Sequence, residues 1–419
     1  MAKKHLIIGS GSAALSALEK IRSLNQEDEI NLVSLEDCLP YSPTSLPYLL
    51  AGRVKEENIY IKDEAYFNEM KATLARGKEV VKLIPDEKQV VYRDGDSEQY
   101  DKLLIATGSD SVKPRIKGLE EAGFLGFHTL SDYHRLVQLL RNGAEVAILG
   151  AGLVGMELAA ALSERGCKVK VLEMLEQILP LYFDQPVGNY IAEIFSEHGV
   201  DTLTGKQVVE VKRTQDKLEI ICADGDVFPA DVLVVCVGVA SRLSLLEGSG
   251  IKTNRGILVD NRMRTNIDSV YAAGDVAESI DFFTKQPGIN AIIPSAVAQG
   301  KVAGANMAGE ETSYEGWVSM NVFNFFGNIA SSVGLSLPRG SERVMEKKED
   351  KRRYFKRLVF HNDNLIGAMF LNEEIDPGVI RYLIENKVPI GDHKELLFEK
   401  SKEASRWLML KTEEAQSKF

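Results

Sequence analysis

Residues 6–18 read LIIGSGSAALSAL and residues 147–159 read AILGAGLVGMELA, one pattern written twice, 141 positions apart. Each copy is an apolar run, a glycine-rich break and a stretch of small residues, which reads as a buried strand, a tight turn and a closely packed helix. In the first, HLIIG leads into Gly9, Gly11 and Ala14, spaced GxGxxA; in the second, EVAILG leads into Gly150, Gly152 and Gly155, spaced GxGxxG. The first glycine makes the turn, the second lets the backbone approach a pyrophosphate, and the third small residue lets helix and strand pack. The residues opening each helix, Ser12 and Ala13 in the first copy and Leu153 and Val154 in the second, belong to the same cradle. Their unpaired amides and the positive end of the helix dipole would face the anion. One such motif also arises from packing alone; two in strand-to-helix context point to two dinucleotides.

An acidic residue at the end of the second strand should bind ribose hydroxyls. In KVKVLEM this is Glu173, 23 positions after Gly150, and a carboxylate there favours NAD over the 2′-phosphate of NADP. In the first copy EINLVSLED offers Glu36 or Asp37, while strict register with the second copy lands on Ser34; Glu36 is the choice. The expected fold class is α/β, with two Rossmann-like dinucleotide-binding domains and a C-terminal α+β domain.

The totals agree with a globular chain. With 419 residues, 44% hydrophobic and 26% charged, several cores can form without disulfides or metals. A net charge of −11 does not suggest a nucleic-acid partner. Cys38, Cys167, Cys222 and Cys236 form no CxxC or CxxxxC, so neither a zinc site nor a local redox disulfide is written. The six histidines show no i, i+4 pairing and no HExxH, and no metal is expected. The start, MAKKHLIIGSGSAAL, imitates a signal peptide, but Gly9 and Gly11 break the apolar run and the segment recurs at 147. No run reaches the roughly 18 residues of a membrane span, and a cytoplasmic protein is expected. LEGSGIKT at 246–253 lacks the first glycine of a P-loop, and the basic half of RVMEKKEDKRRYFKRL at 343–358 reads as a solvated hairpin edge rather than a docking site for an acidic carrier.

Two NAD molecules would have no chemistry to share, whereas a flavin and a nicotinamide exchange a hydride. The sequence resembles the flavin- and NAD-dependent pyridine nucleotide-disulfide oxidoreductase superfamily in ordered motifs: LPYSPTSLPYLLAG at 39–52, YDKLLIATGS at 100–109, the second cradle, DVLVVCVGV at 231–239 and VYAAGDVAE at 270–278. The resemblance implies FAD and NAD as cofactors, with an FAD domain over 1–115 and 245–311, an NAD domain inserted at 116–244, and a C-terminal interface domain at 312–419. It implies that Thr107 and Gly108 close over the flavin, that Asp275 after Gly274 holds the ribityl chain, that Gly238 lines a cofactor, and that Glu157 lies near the nicotinamide. The C-terminal domain would pack on the flavin domain and serve dimerisation or complex assembly. Within it, HNDN should turn a hairpin, and Asp376–Pro377 should start a helix.

The second electron acceptor is the open matter. Single-cysteine relatives, the coenzyme A disulfide reductases and NADH oxidases, carry a reactive thiol close to the position of Cys38, but here the spacing is CLPY and Asp37 precedes it. Cys38 is thus a candidate catalytic residue for a self-contained thiol enzyme. PYSPTSLPYLLAG is most similar to ferredoxin and rubredoxin reductases and the flavin part of nitrite reductases, with Pro43 where an arginine is usual and Tyr48 where a lysine is often found. That resemblance implies an FAD-dependent NAD(H):acceptor oxidoreductase whose partner is an iron–sulfur subunit or ferredoxin-like protein, within a coenzyme A dependent 2-oxoacid dehydrogenase complex. A third reading is a flavin-binding interaction module in which NADH shifts conformation only.

Overall fold

The computed structural model describes residues 2–215, 217–338, 340 and 342–416. The chain forms two compact units, one from Met1–Ser45, Val54–Asp110 and Val239–Trp317, the other from Leu46–Arg53, Ser111–Gly238 and Val318–Phe419. Both are α/β, as the repeated motif predicts.

The first unit is built on a five-stranded parallel sheet in the order Val270–Ala272, Lys102–Ile105, Lys4–Ile8, Glu29–Val33, Ala72–Ala75. Leu6, Ile7 and Ile8 are all buried, because a parallel sheet is covered on both faces and its strands read as continuous apolar runs. Register aligns the strand ends: Ile8 lies opposite both Val33 and Ile105, and Ile105 opposite Ala272. The turns that follow these strands therefore open on one edge, where ligands of such sheets bind. Helix Ser12–Leu24 packs on helix Ile293–Ala308 at backbone contact. A Cβ at Gly300 would stand 2.2 Å from the Ala13 carbonyl oxygen, and one at Gly304 2.6 Å from that of Ala17.

The second unit repeats the plan with a four-stranded parallel sheet, Val200–Leu203, Lys168–Leu172, Glu145–Leu149, Val232–Val235, and the helices Leu153–Glu164 and Gln185–Glu197. It also contains a five-stranded antiparallel sheet, Met320–Phe325, Asn328–Gly334, Asn364–Leu371, Tyr354–His361, Arg343–Glu349, and three helices after it. The hairpin turns at Asn362, whose φ of +53° suits an asparagine, and Asp376 caps helix Pro377–Glu385 through the Gly378 and Val379 amides, as expected.

The basic stretch departs from its reading as a solvated edge. Strand Arg343–Glu349 is mostly exposed, but Arg357 is buried and pairs at 2.6 Å with both Asp184 and Glu346. Arg353 forks onto Glu197, and Tyr190 donates to Asp350. These bonds fasten the C-terminal hairpin to helix Gln185–Glu197. Phe195 of that helix stacks with Phe323 and Phe325, and His198 lies on Phe326 with ring centroids 4.0 Å apart. Among the described residues no helix is long and apolar enough to cross a membrane, and no group of three or more potential ligands could hold a metal ion.

Candidate functional site

The two cradles are near copies in backbone as well as sequence. Gly9 and Gly150 both take positive φ, +122° and +101°, and donate at 2.8 Å to Val33 and Leu172 respectively. A Cβ at Gly9 would lie 2.1 Å from the Ala106 oxygen, and one at Gly150 2.5 Å from the Cys236 oxygen. Gly11 and Gly152 take matching extended conformations (φ −76° in both), and no side chain caps either helix. At both positions a Cβ would meet nothing within 4 Å, so the space in front of each helix N-terminus is open.

That combination fits a dinucleotide in each unit. The turn glycine is fixed by the fold, while the second glycine is left clear for a pyrophosphate held by the amides of Ser12–Ala14 or Leu153–Gly155. The third positions differ for a reason sequence alone did not supply. Ala14 is fully buried and tolerated, whereas a Cβ at Gly155 would stand 2.1 Å from the Gly150 oxygen.

In the second unit Glu173 follows its strand as expected, and its two carboxylate oxygens accept from the Ala151 and Leu175 amides at 2.8 and 2.9 Å. The carboxylate is thus held beside the glycine turn. Gly238, φ +114°, lies beyond strand Val232–Val235 at the same sheet edge and accepts from the Val112 amide. In the first unit the residue in register with Glu173 is Ser34, which accepts from the Ser10 hydroxyl at 3.1 Å. Glu36 is half-buried and accepts from the Tyr41 hydroxyl at 2.8 Å, whereas Asp37 is exposed.

Residues far apart in sequence converge at the edge of the first sheet. A Cβ at Gly274 would touch that of Ala13 at 3.2 Å. The Asp275 carboxylate accepts from the Ser109 hydroxyl at 3.0 Å, so the segment after ATG and the GD motif are joined. Thr107 donates to the Arg242 carbonyl, and Arg242 donates back to the Thr107 carbonyl while forking onto Asp110. Gly108 turns between them with φ +69°. Sequence reasoning missed Ser109, Arg242 and Gln299. Gln299 looks like a helix surface residue in AVAQGK, yet it is 1% exposed and accepts from the Gly274 amide at 2.8 Å. The available signal was its place beside Gly300 in a helix of small residues.

Glu157 lies on helix Leu153–Glu164, lining a cleft with Tyr48, Arg53, Glu164 and Asn324. Burial pushes its carboxyl up to about 7. Burial also raises the Tyr182 phenol, to which the Glu157 charge adds. Cys38 is half-buried, and burial followed by the nearby Glu36 carboxylate pushes its thiol up to about 11. All four cysteines are free.

A fold with two dinucleotide cradles and no disulfide defines a class, the oxidoreductases that work with two nucleotide cofactors. Residues 3–300 match the pyridine nucleotide-disulphide oxidoreductase family, and the chain belongs to it. Its cofactors are FAD and NAD. It is 37% identical over 91% of its length, and 91% of the relative's, to the NADH-dependent phenylglyoxylate dehydrogenase subunit epsilon of Aromatoleum evansii. It is 31% identical to an NADH oxidase of Methanocaldococcus jannaschii over 74% of this chain and 71% of that one. Its fold superimposes on putidaredoxin reductase in a covalent complex with putidaredoxin with a TM-score of 0.86, at 23% identity, covering 96% of this chain and 97% of the other.

Proposed function

We propose that this NAD(H)-dependent flavin oxidoreductase is the nicotinamide-linked subunit of a larger electron-transfer assembly, its partner an iron–sulfur protein and its likeness to the phenylglyoxylate dehydrogenase subunit pointing to a 2-oxoacid dehydrogenase complex. The observation that carries this is the pair of complete cradles in a chain whose four cysteines are all free. When bound, the nicotinamide exchanges a hydride with the flavin, which passes electrons on singly.

The chain's own residues bind and orient. In this reading the first cradle, Gly9–Ala14, holds FAD, with Glu36 on the ribose, Thr107 and Gly108 over the ring system, and Asp275 on the ribityl hydroxyls, its other oxygen steadied by Ser109. The second cradle, Gly150–Gly155, holds NAD, with Glu173 accepting from the ribose, Gly238 lining the site and Glu157 toward the nicotinamide end. A carboxylate already bonded to two amides is fixed in place before the nucleotide arrives, so little ordering remains for binding to supply.

A thiol relay through Cys38 is the second reading, favoured by the NADH oxidase relative. A thiol pushed up to about 11 holds almost no thiolate at neutral pH, which weighs toward an external acceptor. Anaerobic titration of the holoprotein with NADH tests the proposal. Two electrons per flavin, with sustained turnover only when an iron–sulfur protein is added, is the expected result. Uptake of four electrons, or brisk turnover with oxygen alone, would overturn it.

A further inference from the structure

We infer that the first unit carries a second ligand site, a cleft where Lys102 and Arg264 bind the phosphate group of a small molecule. The cleft has a volume of about 440 Å³ and lies wholly within that unit, at the sheet edge opposite the glycine cradle. Strands Lys102–Ile105 and Val270–Ala272 begin here, with Val270 beside Leu103, and end at the cradle edge. Tyr271 and Asn306, both buried, form the floor. Arg264 and Ser269 come from the turn before Val270, and Gly309 closes the far side just beyond helix Ile293–Ala308.

With 61 acidic and 50 basic residues the chain has carboxylates to spare, yet among the described residues neither Lys102 nor Arg264 has one at ion-pair distance. The Lys102 ammonium lies 5.9 Å from the centre of the Tyr271 ring. The Arg264 guanidinium neighbours the Tyr271 hydroxyl, which donates to the Asn306 carbonyl at 3.5 Å. Two carboxylates reach the cleft. Glu311 is committed to Arg262 at 2.7 Å, whereas Asp268 is exposed and pairs with no cation among the described residues. Burial, then the charges of Lys3, Lys88 and Arg264, hold the Lys102 ammonium below its ordinary 10.5; the pull of Asp268 does not restore it.

Cations crowded in this way are relieved by an anion brought between them. A planar guanidinium fork and a compact ammonium match the two charges and several oxygens of a phosphate group better than they match a single carboxylate. The Ser269 hydroxyl, without a partner among the described residues, adds a donor on the same wall. The volume falls in the range of small-molecule sites, and the mostly polar walls suit a polar body attached to the phosphate. This site is separate from both cradles and does not depend on what they bind.

The test is titration of the FAD holoenzyme with inorganic phosphate at about pH 8, where phosphate is dianionic, read by phosphorus NMR line broadening. Saturating NAD+ keeps the second cradle filled, and ionic strength is held low and constant. The expected result is saturable binding that added chloride weakens, and that is about tenfold or more weaker in Lys102→Gln and in Arg264→Gln. Asp268→Asn, which removes the opposing carboxylate, should bind phosphate several-fold tighter, a gain that a damaged fold would not produce. Absence of saturable binding in the parent, equal affinity in both cation variants, or weaker binding in Asp268→Asn would overturn the inference. All three variants should retain flavin and its reduction by NADH, so failure at this cleft leaves the proposed function standing.

Discussion

Gln299 and Gly274 are joined by a buried hydrogen bond, the side-chain oxygen of one accepting from the backbone amide of the other at 2.8 Å. The same amide side chain donates to the Ser279 hydroxyl at 3.0 Å, so a single glutamine spans the turn that presents Asp275. Gln299→Leu would strand the Gly274 N–H in an apolar setting, at a cost of about 1–3 kcal/mol. The expected outcome is a lower melting temperature together with loss of FAD on gel filtration, both measurable by absorbance. Full flavin retention would show that the turn does not depend on this bridge.

The glycines of the second cradle should separate binding from folding. Gly152→Ala meets open space at a φ of −76° that alanine adopts freely, so it costs about 1 kcal/mol or less as a helix cap, yet it should weaken NAD binding tenfold or more. Gly155→Ala drives a methyl against the Gly150 carbonyl and should cost about 1–3 kcal/mol of stability. Equal melting points for the two variants would contradict this division.

Glu173 should determine which nicotinamide nucleotide is accepted. Its oxygens face the amides beside the glycine turn, where a 2′-phosphate would meet a like charge. Glu173→Arg is expected to reverse a preference for NADH over NADPH, read as the ratio of kcat/KM values for flavin reduction.

Cys38 offers the sharpest test between an external acceptor and an internal thiol. With its thiol pushed up to about 11, Cys38→Ser should leave NADH-driven reduction of an iron–sulfur acceptor within about twofold of the parent. A complete loss, with flavin content unchanged, would assign the thiol a redox role.

Acid stability of the first unit should follow His5 and Asp28, paired at 2.8 Å in the interior. Burial holds the His5 imidazole below its ordinary 6.5. Burial works against an ionised Asp28, but hydrogen bonds from the Lys3 amide and from His5 outweigh it and keep the carboxyl below 3.8. As pH falls through 6.5 the unfolded chain binds a proton that native His5 refuses, so stability drops there, and drops again below 3.8 as Asp28 resists protonation. Urea unfolding from pH 7 to 5 should show a shallower decline for His5→Gln.

Fold class was legible because the information was local: strand, turn glycine and small-residue helix lie within thirteen consecutive positions, twice. The sequence-level residues of each cradle fall together at one sheet edge, since motifs at the ends of neighbouring parallel strands are aligned by register. What stayed hidden depends on long-range contact. Gln299 resembled a surface residue, and Arg357 a solvated base, because nothing nearby in the chain announces Gly274 or Asp184. The raised titration of Glu157 was equally invisible, because it follows from burial in a cleft whose other walls, Pro47–Arg53 and Asn324, lie far away in the chain.

The clasp between the C-terminal hairpin and helix Gln185–Glu197 bears on any effort to shorten this protein. Cutting after Trp317 would uncover Phe195, now fully enclosed, and leave Asp184, Glu193 and Glu197 without Arg353 and Arg357. A nucleotide module excised for transplantation would carry a sticky aromatic scar beside a row of repelling acids, so the tail has to travel with it.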